Sequence, residues 1–317
     1  MTAEVTGAIK PPQPPNALAR AWDSDIAYSF RRSPIAVVSA AILLTLLVGA
    51  LFSRVLAPYD PFDLASLNLM DSLQPPAFMP EGTAAHLLGT DDQGRDVLSG
   101  IMYGLRISLI VGVCAVLFAV TVGIAVGLLA GYAGGLVDSA LMRVADVQLS
   151  FPAILIALLV DGVVTAALPR NMHEQLQIYV LIFAIGISYW PQFARTVRGS
   201  TLVERGKEYV MAARVIGLSP LRIMLTHILP NVLGPVMVIG TLTLGLAVIS
   251  EATLSFLGVG LPPTQPSVGT LIRIGNDFLF SGEWWITIFP GLTLVLMVLS
   301  INLLGDWLRD ALNPRLR

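Results

Sequence analysis

Residues 212–224 read AARVIGLSPLRIM, a pattern that predicts two short helices joined at a glycine. The first helix should cover about residues 203–216 and stop at Gly217, because glycine readily takes the left-handed conformation that ends a helix. Ser219 then offers an N-cap oxygen, and Pro220 suits the first position of a new helix. A DNA-binding helix-turn-helix and a hairpin that docks onto a protein both fit this pattern.

The composition of the whole chain decides between these two interpretations. Of its 317 residues, 55% are hydrophobic and only 13% are charged, and the mean hydropathy is +0.76. A soluble domain could not bury that much apolar surface, so the chain is predicted to lie in a membrane. Its formal net charge of -2 lacks the basic excess with which proteins neutralise nucleic-acid phosphates, so no nucleic-acid partner is expected.

Six apolar stretches are long enough to cross a hydrocarbon core of about 30 Å as helices. Asp146, Gln148 and Pro152 interrupt the third stretch, and a proline is tolerated there when neighbouring helices satisfy the freed carbonyl. The sequence therefore predicts an all-α, polytopic membrane protein with six spans, near residues 35–56, 107–132, 144–164, 178–194, 232–257 and 284–304.

The segments that connect these stretches orient the chain. Most of the 19 lysine and arginine residues fall on the same side as the N-terminus, and membrane proteins keep this excess in the cytoplasm. Both termini are therefore predicted to be cytoplasmic. This topology gives an N-terminal tail with a possible interfacial helix (1–33), a first span (34–56), an outer loop (57–104), a five-helix core (105–305) that includes the cytoplasmic hairpin (195–231), and a C-terminal tail (306–317).

The second helix of the hairpin should end at Pro230. Arg222 is almost its only polar candidate for reading base edges, whereas apolar side chains recur along it at helical spacing. The apolar stripe consists of Leu221, Met224, Leu225 and Ile228. It fits a groove on a partner protein or packing against the chain's own membrane domain, and both interpretations stay open.

Four stretches of the sequence resemble a known family. The family's loop signature is Glu-Ala-Ala, three residues, glycine, nine residues, an apolar residue, any residue, leucine and proline. Here the signature positions hold Met211, Ala212, Ala213, Gly217, His227, Leu229 and Pro230. The other stretches are HLLGTDDQGRDVLSGIMYGLRISL (86–109), SEATLSFLGVGLPPTQPSVG (250–269) and NLLGDWLRDALNPRLR (302–317). The chain resembles the inner-membrane permease subunit of bacterial ABC importers, in the C-type group for dipeptides and oligopeptides, which also includes glutathione and nickel importers. Met211 replaces the usual Glu, and Val268 stands where a Trp is common.

The resemblance implies the type I ABC importer permease fold in the lipid of the bacterial inner membrane. It implies a second permease subunit that completes a heterodimer, two cytoplasmic ATP-binding subunits, and a periplasmic or lipid-anchored substrate-binding protein. The expected solute is a peptide. Nickel, glutathione and other small solutes are ranked after it. The residues implied to dock the ATPase are Ala212, Ala213, Gly217, Ser219, Pro220, Leu221, Met224, Leu225, Ile228 and Pro230.

This chain is not expected to be an enzyme or to hold a cofactor. Its only Gly-Lys pair, Gly206-Lys207, has Thr201 where a phosphate-binding loop needs glycine and Glu208 where the loop needs Ser or Thr. ATP and Mg²⁺ would therefore bind to the partner subunits. No cluster of residues converges as a catalytic site would require.

Three glycines form a small-residue face in the second span. Gly123, Gly127 and Gly131 repeat at four-residue spacing, which lets another helix approach closely. The neighbour is either a helix of this chain or the partner permease.

Two carboxylates lie inside predicted spans. Glu251 should face the helix bundle or a water-filled path, as a proton relay, a contact for a substrate amine, or a protonated group that hydrogen-bonds between helices. The last role is favoured. The alternative function, a stand-alone proton-coupled secondary transporter, would use Glu251 directly. Asp146 follows Arg143 by three residues, so a local ion pair is expected.

The acidic stretch DDQGRD, residues 91–96, contains clustered carboxylates of the kind that bind metal ions. It lacks the distal bidentate Glu of a calcium loop and contains Arg95. Asp92 or Asp96 is predicted instead to cap the following helix. The three histidines lie far apart in the sequence, and no metal site is expected.

Overall fold

The computed structural model describes residues 25–61, 69–169, 172–261 and 265–312, and this part of the chain is helical. Among these described residues, the only β-bridge is an isolated one between Thr90 and Asp96. The helices are α1 (Asp25–Arg32), α2 (Pro34–Leu51), α3 (Ser53–Leu56), α4 (Val97–Ala133), α5 (Gly135–Leu149), α6 (Ala153–Ala167), α7 (His173–Glu204), α8 (Glu208–Val215), α9 (Pro220–Arg222), α10 (Leu229–Phe256), α11 (Val268–Asn276) and α12 (Trp285–Leu312). A π-helical turn, Ile223–Ile228, joins α9 to α10.

Five helical segments of the described residues are long and apolar enough to cross a membrane. They are α2, α4, α7, the continuous helix from α9 through α10, and α12. Helices α5 and α6 are bent by 95° relative to each other. Counted together as one broken span, they make a sixth. The predicted all-α protein with six spans is confirmed in this form.

The third span is not the single helix predicted for residues 144–164. Helix α5 ends at Leu149, where the N–H of Ser150 bonds to the carbonyl of Asp146 at 3.2 Å. Pro152 takes an extended conformation and precedes the first residue of α6. The prediction that the helix would continue through this proline was wrong, because proline pushes the residue before it out of the helical conformation.

The second span is longer than the sequence indicates. Helix α4 begins at Val97 and has 37 residues, which at 1.5 Å per residue gives a length of about 55 Å. It therefore extends beyond a hydrocarbon core of about 30 Å. The outer loop that was predicted to reach residue 104 ends at Asp96, the N-cap of α4.

The pairing of α4 with α7 forms the centre of the bundle. A methyl group added to Gly123 would lie 2.3 Å from Cβ of Phe193, and one added to Gly127 would lie 2.6 Å from the carbonyl oxygen of Ala194. At Gly131 the nearest atom would be in Thr201, at 2.7 Å. The neighbour of the predicted glycine face is thus α7 of the same chain, held at a distance that leaves no room for a side chain.

The hairpin differs from its predicted boundaries at both ends. Its first helix was predicted to begin near residue 203, but residues 203 and 204 still belong to α7, and α8 begins at Glu208. Pro230 was predicted to end the second helix, and this was wrong. It lies in the first turn of α10, where a missing backbone N–H is tolerated.

A short helix, α1, forms in the segment for which an interfacial helix is predicted. Its Phe30 ring packs edge-to-face on Trp307 of α12, with 5.1 Å between ring centroids. Trp22, which lies at helical spacing from Phe30, is outside the described residues.

Candidate functional site

The hairpin between α7 and α10 is anchored to the bundle by one buried side. Val210 and Ala213 of α8 and Ile223 and Ile228 of the π-helical turn are all at most 3% exposed. They belong to the same core as α4 and α7. The hairpin is therefore held against the bundle through its own side chains.

The opposite side of the hairpin exposes a group of apolar residues, which we call the hairpin rim. Val215 is 87% exposed and Ile216 is 74% exposed, and Leu221 and Leu225 are 62% and 50% exposed. Met211 is also exposed. Exposed apolar side chains that lie together are typical of a surface that a partner covers.

The predicted apolar stripe is divided between these two sides. Leu221 and Leu225 point outward, Met224 is half-buried, and Ile228 is fully buried. Packing against the chain's own membrane domain thus applies to Ile228, and a groove on a partner protein stays a prediction for Leu221 and Leu225. Val215 and Ile216 were not singled out from the sequence, although two apolar residues directly before a helix-ending glycine are a visible signal.

The tip of the hairpin has the predicted backbone geometry. Gly217 has φ +80°, the left-handed conformation, and Leu218 N–H bonds back to the carbonyl of Ala213. The Ser219 hydroxyl accepts a hydrogen bond from the N–H of Arg222, and Pro220 follows as the first residue of α9. Ala212 and Pro230 are exposed. The tip is a fixed turn between two helices.

The base of the hairpin carries a hydrogen-bonded group of polar side chains. Lys207 Nζ donates to Glu204 Oε1 at 2.7 Å, and the Tyr209 hydroxyl donates to Oε2 of the same carboxylate. Asn231 Nδ2 donates to the Tyr209 oxygen at 3.2 Å and to the carbonyl oxygen of His227 at 2.8 Å. Burial and the hydrogen bond to Glu204 raise the pKa of Tyr209 to about 12, so its hydroxyl stays protonated and remains a donor.

Arginine side chains connect the C-terminal end of α4 to the hairpin, at the end of the bundle that we call the inner end. Arg205 Nη1 donates to the carbonyl of Gly131 at 2.7 Å, which satisfies a terminal carbonyl of α4. The Arg214 guanidinium of α8 lies 5.0 Å from the centre of the Tyr132 ring. Because the second contact is a cation–π interaction at a protein surface, its contribution is about 1 kcal/mol or less.

Asp146 pairs with a different arginine from the one expected. Its Oδ1 lies 3.9 Å from Nη1 of Arg195 on α7, and both side chains are exposed. The predicted ion pair with Arg143 was wrong, because the packing of α5 against α7 places a cation from another helix beside this carboxylate. Such an exposed pair contributes about 1 kcal/mol at most.

Glu251 is fully buried in α10. Ser255 Oγ donates to its Oε1 at 2.8 Å, and Oε2 makes no hydrogen bond of regular geometry although Ser108 and Ser267 are neighbours. No basic residue in the described part of the chain forms an ion pair with it. This environment of hydroxyl groups supports a role as a hydrogen-bonding group between helices.

A second buried carboxylate, Asp161, was not singled out from the sequence. It lies in α6, is 2% exposed, and its Oδ1 has no hydrogen-bond partner within the described residues. Its position inside an apolar run was the signal that could have found it.

The end of the bundle where α4 begins, opposite the hairpin, contains its own hydrogen-bonded groups, and we call it the outer end. Asp96 caps α4 by accepting from the N–H of Ser99 at 2.8 Å, and its other oxygen lies 3.1 Å from Nδ1 of His86. The buried pair of Arg95 and Asp91 has a separation of 2.6 Å. Asp96 is thus the helix cap that was predicted as one of two candidates, and the described residues contain no cluster of metal-ligand type.

Two family profiles match this sequence. The family described as binding-protein-dependent transport system inner membrane component matches residues 123–317. The family described as the N-terminal TM domain of oligopeptide transport permease C matches residues 21–76. The first match includes the hairpin.

Relatives resemble the chain over most of its length. The dipeptide transport system permease protein DppC of Escherichia coli (strain K12) is 40% identical over 310 residues, which cover 98% of this chain and 97% of that protein. The protein of the same name from Haemophilus influenzae is 39% identical over 276 residues, covering 87% and 90%. The glutathione transport system permease protein GsiD of Escherichia coli O6:K15:H31 is 39% identical over 292 residues, covering 91% and 89%.

A solved structure has a similar fold. It shows inward-facing conformations of the MetNI methionine ABC transporter and matches with a TM-score of 0.52 at 20% sequence identity. The match covers 66% of this chain and 94% of that chain. At this identity the similarity concerns the fold alone.

Proposed function

Because this chain belongs to the family of binding-protein-dependent transport system inner membrane components, we propose that it forms half of the pathway of an ATP-driven importer for dipeptides or oligopeptides. The chain is a multi-pass ABC permease of the inner membrane. In the proposal, a second and different permease subunit supplies the other half of the pathway.

The observation that carries the proposal is the hairpin rim. Four of its apolar side chains are at least half exposed, while the other side of the same hairpin is buried in the bundle. A surface of this kind has a fixed shape and lacks a partner, which favours docking of a folded protein. We assign that role to a cytoplasmic ATPase subunit, one on each permease.

The energy for transport would come from these partners. ATP and Mg²⁺ would bind to the ATPase subunits, and closure of the ATPases would displace the docked hairpins. The permease would then change from an inward-facing to an outward-facing state. The equilibrium between these two states would be shifted by ATP, which binds to the partner subunits. Both termini and the hairpin would lie in the cytoplasm, and a substrate-binding protein would deliver solute on the opposite side.

The proposed solute follows from the relatives. Two of those described above carry dipeptide in their names and one carries glutathione, which is itself a small peptide. A di- or oligopeptide is therefore the solute to test first.

The alternative of a stand-alone proton-coupled transporter is not favoured. The names of the relatives describe subunits of transport systems, over nearly the whole length of this chain. Glu251, on which that alternative depended, is fully buried among serine side chains rather than open to a water-filled path.

Affinity purification of the tagged chain from membranes of its own host, in mild detergent, tests the docking role. The wild-type chain should bring a second multi-span protein and one or two ATPases with a GxxxxGK[ST] motif, identified by mass spectrometry. Gly217→Pro should lose the ATPases, because proline cannot adopt the φ of +80° found there. A wild-type chain that purifies alone, yet moves solute in proteoliposomes without ATP, would overturn the proposal.

A further inference from the structure

We propose that Tyr209 is a positioning residue that braces the hairpin to both flanking spans, so that a displacement of the hairpin reaches the inner ends of α7 and α10 together. This inference rests on the proposed function, because it concerns how a docked ATPase would act on the permease. It assigns a role to a residue outside the hairpin rim and outside the family's loop signature.

The first step is the position of the Tyr209 hydroxyl between three segments. It donates to the carboxylate of Glu204, the last residue of α7. It accepts from Nδ2 of Asn231, in the first turn of α10, at 3.2 Å. Tyr209 itself belongs to α8. One oxygen atom therefore joins the end of one span, the hairpin and the beginning of the next span.

The second step is that regular backbone hydrogen bonding is weakened on both sides of the hairpin. Between α7 and α8 the chain makes a turn at residues 205–207 that contains the exposed Gly206. On the other side the helix continues from the π-helical turn into α10, but Pro230, the second residue of α10, has no N–H to donate to the preceding turn. Glycine and proline breaks in a helix are places where the chain can bend.

The third step is that the brace crosses both weakened places. The bond from Tyr209 to Glu204 spans the Gly206 turn. The bonds from Asn231 to Tyr209 and to the carbonyl of His227, at 3.2 and 2.8 Å, span the Pro230 junction. In the described part of the chain, the side-chain hydrogen bonds that connect the inner ends of α7 and α10 all include Tyr209 or its partner Asn231.

The fourth step is the strength of the brace. Glu204 is buried and also receives Lys207 Nζ at 2.7 Å, so its carboxylate is held in place and ionised. Hydrogen bonds to a charged group are about twice as strong as those between neutral groups. Tyr209 has a pKa of about 12 and remains a donor over the whole physiological range. The brace is therefore permanent rather than switched by pH.

The packing of the hairpin cannot replace this brace. Val210, Ala213, Ile223 and Ile228 hold the hairpin against the core, but the hydrophobic contribution of these contacts has no preferred direction. Hydrogen bonds have a required distance and angle. Tyr209 thus fixes the direction in which the hairpin can move relative to the two spans.

The test uses the full complex of the chain with its co-purified partners in lipid nanodiscs. The single cysteine is first replaced, Cys114→Ser, and spin labels are placed at the exposed positions Val203 on α7 and Leu233 on α10. Electron paramagnetic resonance then reports the distribution of distances between the two spans, without nucleotide and with ATP and vanadate. This measurement does not require that the solute be known.

In the wild-type background we expect a narrow distribution that shifts when nucleotide binds. Tyr209→Phe, which removes one oxygen, should keep the ATPases bound but broaden the distribution and abolish its shift. Tyr179→Phe is the matched control, since this exposed tyrosine of α7 lies outside the brace and should behave as wild type. An unchanged distribution in Tyr209→Phe would overturn the inference.

Substitutions of Glu204 provide a second measurement. Glu204→Ala should also broaden the distribution, and the double variant should be no broader than Tyr209→Phe alone, because Tyr209→Phe already removes the bond to Glu204 together with the bond from Asn231. Glu204→Gln keeps an acceptor oxygen but loses the charge, and should broaden the distribution less than Glu204→Ala. Additive broadening in the double variant would contradict a shared brace.

The outcomes separate this inference from the proposed function. If the wild-type chain carries no ATPase, the proposed function fails. If the wild type carries ATPases but Tyr209→Phe loses them, Tyr209 acts in docking, and its role as a brace is overturned while the proposed function stands.

Discussion

The two ends of the bundle differ in which side chains they bury and which they expose. At the outer end, polar side chains are buried and paired within the chain: Arg95 with Asp91, and His86 with Asp96. The indole N–H of Trp285 also donates to the carbonyl of Thr90 at 3.1 Å. At the inner end, the apolar side chains of the hairpin rim are exposed.

This difference separates a region held by its own buried hydrogen bonds from a region that exposes an apolar surface on an anchored hairpin. Buried hydrogen-bonded groups stabilise the chain that contains them, so their removal should affect folding. Exposed apolar groups contribute little to the isolated chain, so their removal should affect association. Stability and association should therefore respond independently at the two ends.

The largest effect on folding is expected where α4 packs against α7, the helix pair that connects the two ends of the bundle. Gly127→Val would place its Cβ 2.6 Å from the carbonyl oxygen of Ala194, where no flexible side chain can move aside. Such overpacking typically costs about 1–3 kcal/mol, and a clash with backbone atoms lies at the upper end of that range. We expect loss of the monodisperse protein in size-exclusion chromatography. Gly199→Val is the matched control, because no atom lies within 4 Å of its added Cβ. Equal recovery of the two variants would contradict this close contact.

The next effect concerns the inner end alone. Val215→Asp should reduce the amount of co-purified ATPase by about tenfold, since burial of a carboxylate in an apolar interface without a partner costs well over 1.4 kcal/mol. Unfolding of the isolated chain should change by less than about 0.5 kcal/mol, as is usual for exposed positions. Phe280→Asp, at a 97% exposed position elsewhere in the chain, should leave ATPase binding intact. Loss of ATPase in both variants would show that the effect is not specific to the hairpin rim.

A smaller effect is expected at the outer end. Asp96→Ala removes the N-cap of α4 and the partner of His86, and should lower the free energy of unfolding by about 1–3 kcal/mol. Asp96→Asn keeps an acceptor for the Ser99 N–H and should lose less. Thermal unfolding in detergent measures both, with the exposed Glu81→Ala as control. Loss of ATPase binding in a folded Asp96→Ala protein would break the independence of the two ends.

The smallest effect concerns pH at the outer end. Burial, and then the charge of Asp91, raise the pKa of Asp92 above its usual value. A raised pKa in the folded state means that this carboxyl stabilises the fold when protonated and that the contribution is lost as pH rises through the folded-state pKa. Asp92→Asn should therefore stabilise the protein at about pH 7, by less than about 1 kcal/mol after solvent screening, and not at about pH 3. A stabilisation that is equal at both pH values would contradict this origin.

Local chemistry was sufficient to predict several features from the sequence. The apolar lengths predicted the spans, and the order Gly217, Ser219, Pro220 predicted the tip of the hairpin, because cap preferences act over a few residues. The helix cap before α4 was predicted to be one of two aspartates for the same reason.

Features that depend on distant residues could not be predicted in this way. Asp146 meets Arg195 because two helices pack together, and its sequence neighbour Arg143 gives no hint of that. The burial of Ile228 and the exposure of Val215 depend on where the core lies relative to the hairpin. Pro152 shows the limit of a local rule, since a proline either bends or breaks a membrane helix according to its neighbours.

The π-helical turn between α9 and α10 sets the rotational phase of one long helix. A turn of this kind corresponds to an α-helix with one extra residue, and each residue advances the helix by about 100°. On an uninterrupted α-helix, Leu221 and Leu225 would point in a different direction relative to the side chains of α10. The π-helical turn rotates them from that direction by about 100°. Deletion of Thr226 alone would rotate the outward face of the hairpin around the helix axis while leaving every side chain of that face unchanged.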